Sequence, residues 1–271
     1  MNSLFEVNVN ILVVNDDGIK SAGIWPLAEA MARVGNVLVV APDKEQSGMG
    51  SSMTLRTETA ICEIPSPVAG TRAYSVGGTP SDCASLGIRR LRQERTDLLI
   101  SGINTGPNIG RDIPYSGTVM ATLQGYFRQI PSVAVSLVPR EGGEPLRFDV
   151  AARVAESLVR CIAAGKMPTG GILNVNVPNL AMEDIKGIKV TKAAPSGYIR
   201  APQPTPTGTR YAMGSSKHVT AEQLEGTDIA AVDAGYVSIT PLRFEVTHHD
   251  LIPAITQCML GEEGEWLGRE K

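Results

Sequence analysis

The sequence predicts an α/β fold in which helices cover both faces of a doubly wound, mostly parallel β-sheet. Short apolar runs rich in β-branched residues recur along the first two thirds of the chain, and segments with helical spacing of apolar residues separate them. Polar, glycine-rich loops follow several of these runs, as they do at the ligand-binding edge of open α/β sheets. With 271 residues, 42% of them hydrophobic, the chain can bury a sizeable core.

The predicted strands are short and continuously apolar, as expected where helices cover both faces of a sheet. They are residues 9–14, 37–40, 98–100, 133–137 and 172–177. Apolar residues at i, i+3 and i+4 predict helices at 24–34, 80–93, 118–129 and 148–163. The second helix begins with a strong signature, because Thr79 can act as N-cap, Pro80 suits the first turn and Asp82 suits the third position.

The last third of the chain departs from this alternation. Residues 193–217 are rich in Pro, Gly, Ser and Thr, which predicts an extended arm or hairpin that packs on a neighbouring subunit or forms a surface loop. One more strand is predicted at 235–242 and a terminal helix at 249–260. The predicted organisation is therefore a core of residues 1–192, an arm of 193–217, and a C-terminal strand and helix within 218–271.

The composition argues against two classes of partner. A net charge of −3 with scattered Lys and Arg provides no basic surface for polymeric nucleic acid. No apolar run approaches the roughly 18 residues of a membrane span. No basic residue precedes Lys20, as a signal peptide would require, so we expect a cytoplasmic protein. The four cysteines are far apart and never form a C-x-x-C pair, which favours free thiols over disulfides or zinc.

Two adjacent carboxylates, Asp16 and Asp17, follow the first predicted strand. Neighbouring side chains of a strand point to opposite faces, so the pair must lie beyond the strand end if it shares a ligand. Asn15 and Gly18 favour a turn at this point. On these residues alone, an Asp-Gly turn in which Asp17 acts as a cap explains the stretch equally well.

Two more polar loops, residues 41–52 and 101–118, also follow predicted parallel strands. Because the carboxyl ends of parallel strands share one edge of the sheet, these loops should meet the acid pair there. The residues that this edge would gather are Asp16, Asp17, Ser47, Asn104 and Asn108. All of them offer oxygen ligands, which suit a hard cation such as Mg²⁺, Mn²⁺ or Ca²⁺ and argue against zinc. A divalent ion would also offset the repulsion between adjacent carboxylates.

The loop of residues 101–118 also predicts an anion site. Ser116, Gly117 and Thr118 stand where a helix begins, and a helix start offers unpaired backbone N–H groups to an anion. Glycine lets the backbone approach a phosphate closely. Alone this is a common N-cap signature. Beside a metal site, it indicates phosphoryl chemistry.

These stretches together resemble the SurE family of metal-dependent nucleoside monophosphate phosphatases. The resemblance runs in order from about Asn10 to Leu242, through "NDDGIKSAGI", "VVAPDKEQSG", "GTPSDC", "SGINTGPNIGRDIPYSGTV", "NVNVP" and "GTDIAAVDAGYVSITPL". It implies a Rossmann-like domain with an extended or exchanged C-terminal region, a homodimer or homotetramer, and hydrolysis of nucleoside 5'-monophosphates with one divalent ion. Some members of the family also hydrolyse 3'-monophosphates or shorten polyphosphate.

The resemblance also implies roles for individual residues. The implied metal ligands are Asp16, Asp17, Ser47 and Asn104, of which Asp16, Asp17 and Asn104 are the catalytic candidates. The phosphate-binding candidates are Asn15, Asn108, Ser116, Gly117 and Thr118. The ion would activate a water by lowering its pKa, and the hydroxyls would stabilise the phosphoryl oxygens. Asp17 is a candidate general base, and Lys44 either adds positive charge for the phosphate or is an ordinary surface lysine.

The chain departs from the family pattern at some positions. Gln124 stands where relatives often carry Glu, which puts any role of that carboxylate in doubt. The arm shows "RYAMG" at residues 210–214 and lacks a Tyr-Trp pair after its Arg, so it departs from the family pattern at a position tied to substrate selection. The residues His218, His248, His249 and Trp266 lack ligand-like spacing or partners and are expected to be structural or on the surface. Trp25 is expected in the core.

Two other functions fit part of the sequence. A receiver-like signalling module also begins with a strand followed by acids that bind Mg²⁺, but it is about half this length and needs a further Asp after its third strand, where this chain has "LLISGIN". A non-catalytic nucleotide-binding protein would use the same loops without hydrolysis. Metal-dependent release of phosphate distinguishes a phosphatase from both.

Overall fold

Strands and helices alternate along most of the chain in the computed structural model, which describes residues 9–140, 142–168, 170–197, 203–204, 211–212 and 224–260. The strands are β1 Val9–Val14, β2 Gly35–Pro42, β3 Ile61–Ile64, β4 Arg72–Val76, β5 Leu98–Thr105, β6 Ser132–Val138, β7 Ile172–Pro178, β8 Ile188–Val190, β9 Gln203–Pro204, β10 Tyr211–Ala212 and β11 Val237–Leu242. The α-helices are α1 Ile24–Ala32, α2 Pro80–Leu86, α3 Gly117–Ala121, α4 Leu123–Tyr126, α5 Phe148–Ala163, α6 Asp228–Asp233 and α7 Leu251–Leu260.

A nine-stranded sheet has the order β3-β4-β2-β1-β5-β6-β7-β11-β8. The strands from β4 to β7 in this order are parallel, whereas β3 pairs antiparallel with β4 and β11 pairs antiparallel with β7. The predicted α/β fold with a mostly parallel sheet is therefore confirmed. From β1 the chain adds β2 and β4 on one side and then crosses back to place β5 on the other side of β1, which makes the carboxyl end of β1 the switch point where such sheets bind ligands.

The core lies on both faces of β1. Ile11 and Val13 pack in the cluster that includes α1 and α5, whereas Leu12 and Val14 pack on the opposite face with residues of α2 and α3. All four side chains are fully buried, as the continuous apolar run predicts. Burial of each such side chain contributes about 1.5–3 kcal/mol. Trp25 packs against the first cluster, so its predicted place in the core is confirmed.

Two predicted helices are shorter than their apolar spacing indicates. The helix predicted at 80–93 has the expected capping box at Thr79 and Asp82, but it ends as an α-helix at Leu86 and continues as a π-turn, Gly87–Leu91. A Cβ atom at Gly87 would lie 2.6 Å from a methyl carbon of Leu12, so the chain passes close to β1 at this point. The helix predicted at 118–129 is divided at Thr122 into α3 and α4.

Several elements were not predicted. β3 and β8 lie at the two edges of the sheet, where Ile61 and Ile188 are exposed. Because edge strands are not buried on both faces, they lack the continuous apolar run by which the other strands were predicted. β4 and the short helix α6 were also missed. The strand at 235–242 was predicted, and β11 pairs with β7 in the main sheet.

The arm predicted at 193–217 is described only in part. Gln203–Pro204 and Tyr211–Ala212 pair antiparallel as a two-stranded ladder, while most of the arm, including the rest of "RYAMG", lies outside the described residues, as do His218 and Trp266. The predicted terminal helix is present as α7. No helix in the described part of the chain has the length and apolar character needed to cross a membrane. All four cysteines are free thiols.

The different burial of two cysteines, Cys83 and Cys161, predicts that their thiols differ in reactivity. Cys83 in α2 is fully buried, and burial raises the pKa of its thiol well above the ordinary value, whereas Cys161 in α5 is exposed. Because only an accessible thiolate reacts, we expect N-ethylmaleimide at pH 7 to modify Cys83 at least about 100-fold more slowly than Cys161 in the native protein. Peptide mass spectrometry measures both rates, and urea should abolish the difference. Equal rates in the native protein would contradict this packing of α2.

Candidate active site

A cleft of about 520 Å³ lies at the carboxyl edge of the sheet, beside the switch point. The residues that line it are Asp16, Ser47, Gly48, Asn104, Thr105, Gly106, Pro107, Asn108, Asp112, Tyr115, Ser116, Val138 and Pro139. The lining comes from the loops after β1, β2, β5 and β6, which the strand order brings to one edge. Five of the predicted site residues are therefore at one cleft: Asp16, Ser47, Asn104, Asn108 and Ser116.

Asn15 forms the turn that presents the acid pair. Its side-chain nitrogen donates to the Gly18 carbonyl at 2.9 Å and to the Ser21 hydroxyl at 2.8 Å, and its oxygen accepts from the Gly18 N–H at 3.2 Å. Gly18 has φ +90°, a conformation that favours glycine. Asn15 is fully buried and does not line the cleft. Both polar atoms of its amide are used inside the turn, so Asn15 supports the site by shaping the loop that carries the acid pair.

Three distant segments meet at the acid pair. The Gln46 N–H donates to the Asp16 carbonyl at 2.8 Å, which brings the loop after β2 beside β1. The Thr105 N–H donates to Asp17 Oδ2 at 3.1 Å, which does the same for the end of β5. The Thr118 hydroxyl donates to Asp16 Oδ1. The convergence expected from the strand order is therefore present.

The acid pair is held in an environment that disfavours its charge. Asp16 is 3% exposed, and burial raises the pKa of its carboxyl. Burial and the neighbouring charge of Asp16 raise the pKa of Asp17 to about 6. No described Lys or Arg forms an ion pair with either carboxylate. Asp16 is buried and Asp17 is half-buried, and a divalent cation bound between them would offset the repulsion between their charges.

Asn104 and Ser47 present oxygens beside this pair. The Asn104 side-chain nitrogen donates to the Gly106 carbonyl at 2.8 Å, which orients the amide and leaves its oxygen available as a ligand. Ser47 is exposed and lines the same cleft, and its hydroxyl donates to Glu45 at 2.8 Å. Among the described residues, no three His, Cys, Asp or Glu side chains form a cluster. The donor set is therefore carboxylate, amide and hydroxyl oxygen, which fits a hard cation.

Ser116 begins α3 as predicted. Its hydroxyl oxygen accepts from the Val119 N–H at 3.1 Å, so the hydroxyl hydrogen is free to point into the cleft that Ser116 lines. Gly117 packs directly on Asp16, because a Cβ atom there would lie 2.8 Å from Asp16 Cβ. Thr118 is fully buried and contacts Asp16. The phosphate-site candidates and the metal-site candidates are thus in contact.

Some residues at the cleft were not predicted. Tyr115 is 58% exposed and lines the cleft, and Pro107, Val138 and Pro139 add an apolar wall. Tyr115 is part of the quoted motif "IPYSGT", so its place next to Ser116 was the available signal.

Other candidates lie away from the cleft. The exposed Lys44 is not among the lining residues. Gln124 in α4 contacts Met53 and Arg128, so the amide in place of a carboxylate does not alter the cleft lining. His249 lies 3.8 Å from Glu245 near the exposed start of α7, as expected of a surface histidine, and the neighbouring His248 is exposed as well.

The chain is similar to known proteins over most of its length. Residues 11–200 match the family model described as Survival protein SurE. A 5'/3'-nucleotidase SurE of Cronobacter sakazakii is 41% identical over 267 residues, covering 95% of this chain and 100% of the relative. A 5'-nucleotidase SurE of Dehalococcoides mccartyi is 40% identical, covering 86% and 88%.

The fold is similar as well. A crystal structure of the SurE protein from Aquifex aeolicus superimposes with a TM-score of 0.77 at 39% sequence identity, covering 92% of this chain and 99% of that one. The extent of the family match, the identity to curated relatives and the shared fold agree with the resemblance of the loop motifs. The chain belongs to the SurE family.

Proposed function

We propose that this chain is a phosphoric monoester hydrolase that releases phosphate from nucleoside 5'-monophosphates in the presence of a divalent ion. The observation that carries the proposal is the contact between two groups of residues at one cleft. Asp16, which Asp17 directly follows, lies against Gly117 and accepts a hydrogen bond from Thr118, and both of these residues belong to the anion-site loop. Relatives that match nearly the whole chain are named 5'/3'-nucleotidases, which supports the same chemistry and extends it to 3'-monophosphates. Short polyphosphate is a further candidate substrate.

The ion would be held by Asp16, Asp17, Ser47 and Asn104. When bound, one Mg²⁺, Mn²⁺ or Ca²⁺ polarises the phosphate and makes water a better nucleophile near neutral pH. The remaining steps belong to the protein. Thr118 fixes the Asp16 carboxylate through its hydroxyl, and the backbone N–H of Thr105 fixes Asp17. Asp17 retains one oxygen as the candidate acceptor for the proton of the attacking water.

The phosphoryl group would lie between Ser116 and Asn108. The Ser116 hydroxyl can donate to a phosphoryl oxygen because its own oxygen already accepts the Val119 N–H. Donors fixed before the reaction stabilise charge in the transition state without further reorganisation. Tyr115 and the apolar wall would accommodate the nucleoside, since they line the same cleft. The cleft therefore combines groups that can stabilise charge with apolar side chains that can contact the nucleoside.

We also propose a homodimer or homotetramer in the cytoplasm. α7 exposes Leu251, Ile252, Ile255 and Met259 at 39–57% of their surface, and β8 exposes Ile188 and Val190 at 60% and 77%. Adjoining apolar side chains of this kind are usual in subunit interfaces. An exchanged C-terminal region, as the family resemblance implies, would cover α7. The free cysteines are consistent with a reducing compartment.

The function is tested by phosphate release from AMP, GMP and 4-nitrophenyl phosphate. After dialysis against EDTA, we expect the rate to fall at least about 100-fold and to recover when Mg²⁺, Mn²⁺ or Ca²⁺ is added, because the acid pair alone repels a phosphate. Comparison of the three ions and of 5'- and 3'-monophosphates identifies the preferred ion and substrate. Nucleotide binding without phosphate release under every condition would instead indicate a non-catalytic nucleotide-binding protein.

A further inference from the structure

Asn108 is held in place by hydrogen bonds to the motif "NVNVP" in β7. Its N–H donates to Asn176 Oδ1 at 2.9 Å, and its carbonyl accepts from Asn174 Nδ2 at 2.7 Å and from Asn176 Nδ2 at 3.1 Å. The side chain is fixed separately, because its nitrogen donates to the Ser136 hydroxyl of β6 at 2.8 Å. Both peptide groups and the amide of this cleft residue are therefore determined by neighbouring strands.

Gly110 is anchored in a similar way by a residue from the C-terminal part of the chain. Its N–H donates to Asp228 Oδ2 at 2.8 Å, while Asp228 Oδ1 accepts the N–H groups of Ala194 and Ile229 at 2.9 Å each. Asp228 is fully buried at the start of α6. Gly110 has φ +55°, and a Cβ atom there would lie 1.8 Å from the Ser196 carbonyl. The loop from Asn108 to Gly110 is thus held at both ends.

These buried polar groups are costly for a sheet. Asn174 and Asn176 are fully buried, and they alternate with apolar Val175 and Val177 in the same strand. An apolar side chain at either position would need no hydrogen-bond partner. Asn174 Oδ1 has no partner among the described residues, and an unpaired buried acceptor destabilises the fold. Buried polar side chains that weaken the core in this way are expected where function requires them.

We propose that Asn174, Asn176 and Asp228 are positioning residues that hold the Asn108–Gly110 loop as one wall of the phosphate site. The proposal rests on the proposed function, since the loop matters through its contact with phosphate. The three residues do not line the cleft and act through Asn108 and Gly110. The following 3₁₀ turn, Gly110–Tyr115, leads directly to Ser116, so displacement at Gly110 would also move that hydroxyl.

Alanine variants distinguish positioning from stability. Asn176 makes two bonds to Asn108 and Asn174 makes one, although both are equally buried. We expect Asn176→Ala to lower kcat/KM for 4-nitrophenyl phosphate with Mn²⁺ by about 10–100-fold and to raise the inhibition constant of inorganic phosphate by about tenfold. Asn174→Ala should have a smaller effect, about three- to tenfold on each constant, because the Asn108 carbonyl keeps one donor.

Ser238→Ala is the matched control. Ser238 is fully buried, lies opposite Asn176 in the β11–β7 ladder and forms a hydrogen bond of 2.8 Å with Thr191. We expect it to lower the Tm while kcat/KM and the phosphate inhibition constant stay within about twofold of the parent. Asp228→Asn keeps one acceptor and should weaken phosphate binding about three- to tenfold. If Asn176→Ala does not fold, Asp228→Asn and Asn174→Ala together test the positioning proposal.

Phosphate binding is also measured by calorimetry, so that the two proposals fail separately. If the parent binds phosphate but releases none from any substrate, the proposed hydrolysis is wrong, while weaker binding by Asn176→Ala still supports positioning. If every variant binds phosphate as tightly as Ser238→Ala, the positioning proposal is overturned, whatever the hydrolytic activity of the parent. If the parent neither binds phosphate nor hydrolyses a phosphomonoester, both proposals are overturned.

Discussion

Asp16→Asn should lower kcat/KM for metal-dependent phosphate release by about 10²–10³-fold. The substitution keeps the shape of the side chain and its oxygen as an acceptor for Thr118, but it removes a charge that a divalent ion requires. The metal-free variant should melt at or above the Tm of the parent, because it removes one of two like charges from a buried site. Addition of Mn²⁺ should raise its Tm far less than that of the parent.

Asp43→Asn is the control for this change. Asp43 begins the loop after β2, carries the same charge and is exposed outside the cleft lining. We expect its activity to remain within about twofold of the parent, since a surface charge has little effect on a buried ion site. Phosphate release by Asp16→Asn within about threefold of the parent would remove Asp16 from the metal site. Thermal melting with and without Mn²⁺ shows whether metal binding has changed.

Gly117→Ala should lower kcat/KM by about 100-fold through a single methyl group. The new Cβ atom would lie 2.8 Å from Asp16 Cβ and 2.9 Å from Asp16 Oδ2, so the carboxylate must move. Helix α3 begins at this residue, where alanine is an acceptable helix former, and we expect the overall fold to persist. The half-saturating Mn²⁺ concentration should rise together with the loss of rate, because the displaced group is a proposed ligand.

Gly77→Ala provides the comparison, because the nearest atoms to its Cβ atom would be 3.7–3.8 Å away, an ordinary contact distance. We expect this variant to keep the activity and the metal requirement of the parent. Steady-state kinetics across a Mn²⁺ titration measures both glycine variants. An unchanged half-saturating concentration in Gly117→Ala would show that Asp16 does not need its present position to bind the ion.

The convergence at the cleft was predictable from the sequence because it depends on strand order. Continuous apolar runs identify parallel strands buried on both faces, and the carboxyl ends of such strands meet at one edge. Asp16, Asn104 and Ser116 each follow a strand or begin the next helix, so their shared edge could be inferred without coordinates. Tyr115 was missed because an aromatic residue in a loop carries no periodic pattern.

Asn15 and Asp228 show where the local sequence pattern was insufficient. In the sequence, Asn15 has the residue type and the position of a site residue, but its amide forms its hydrogen bonds inside the turn. Asp228 reads as an ordinary helix-start acid, although it binds the Gly110 N–H across 118 positions of sequence. The residues next to Asn15 and Asp228 in the sequence do not specify where either side chain points. That direction depends on which backbone group requires a hydrogen-bond partner in the folded chain.

The amino-acid pattern alone determined the type and order of most elements, the parallel sheet and the polar edge at its switch point, because periodicity and turn chemistry are local properties. Only the tertiary structure decided which polar groups line the cleft and which hold the lining residues in place through hydrogen bonds. Those assignments depend on hydrogen bonds such as that between Thr118 and Asp16, 102 positions apart, and such bonds form only after the strands adopt their register.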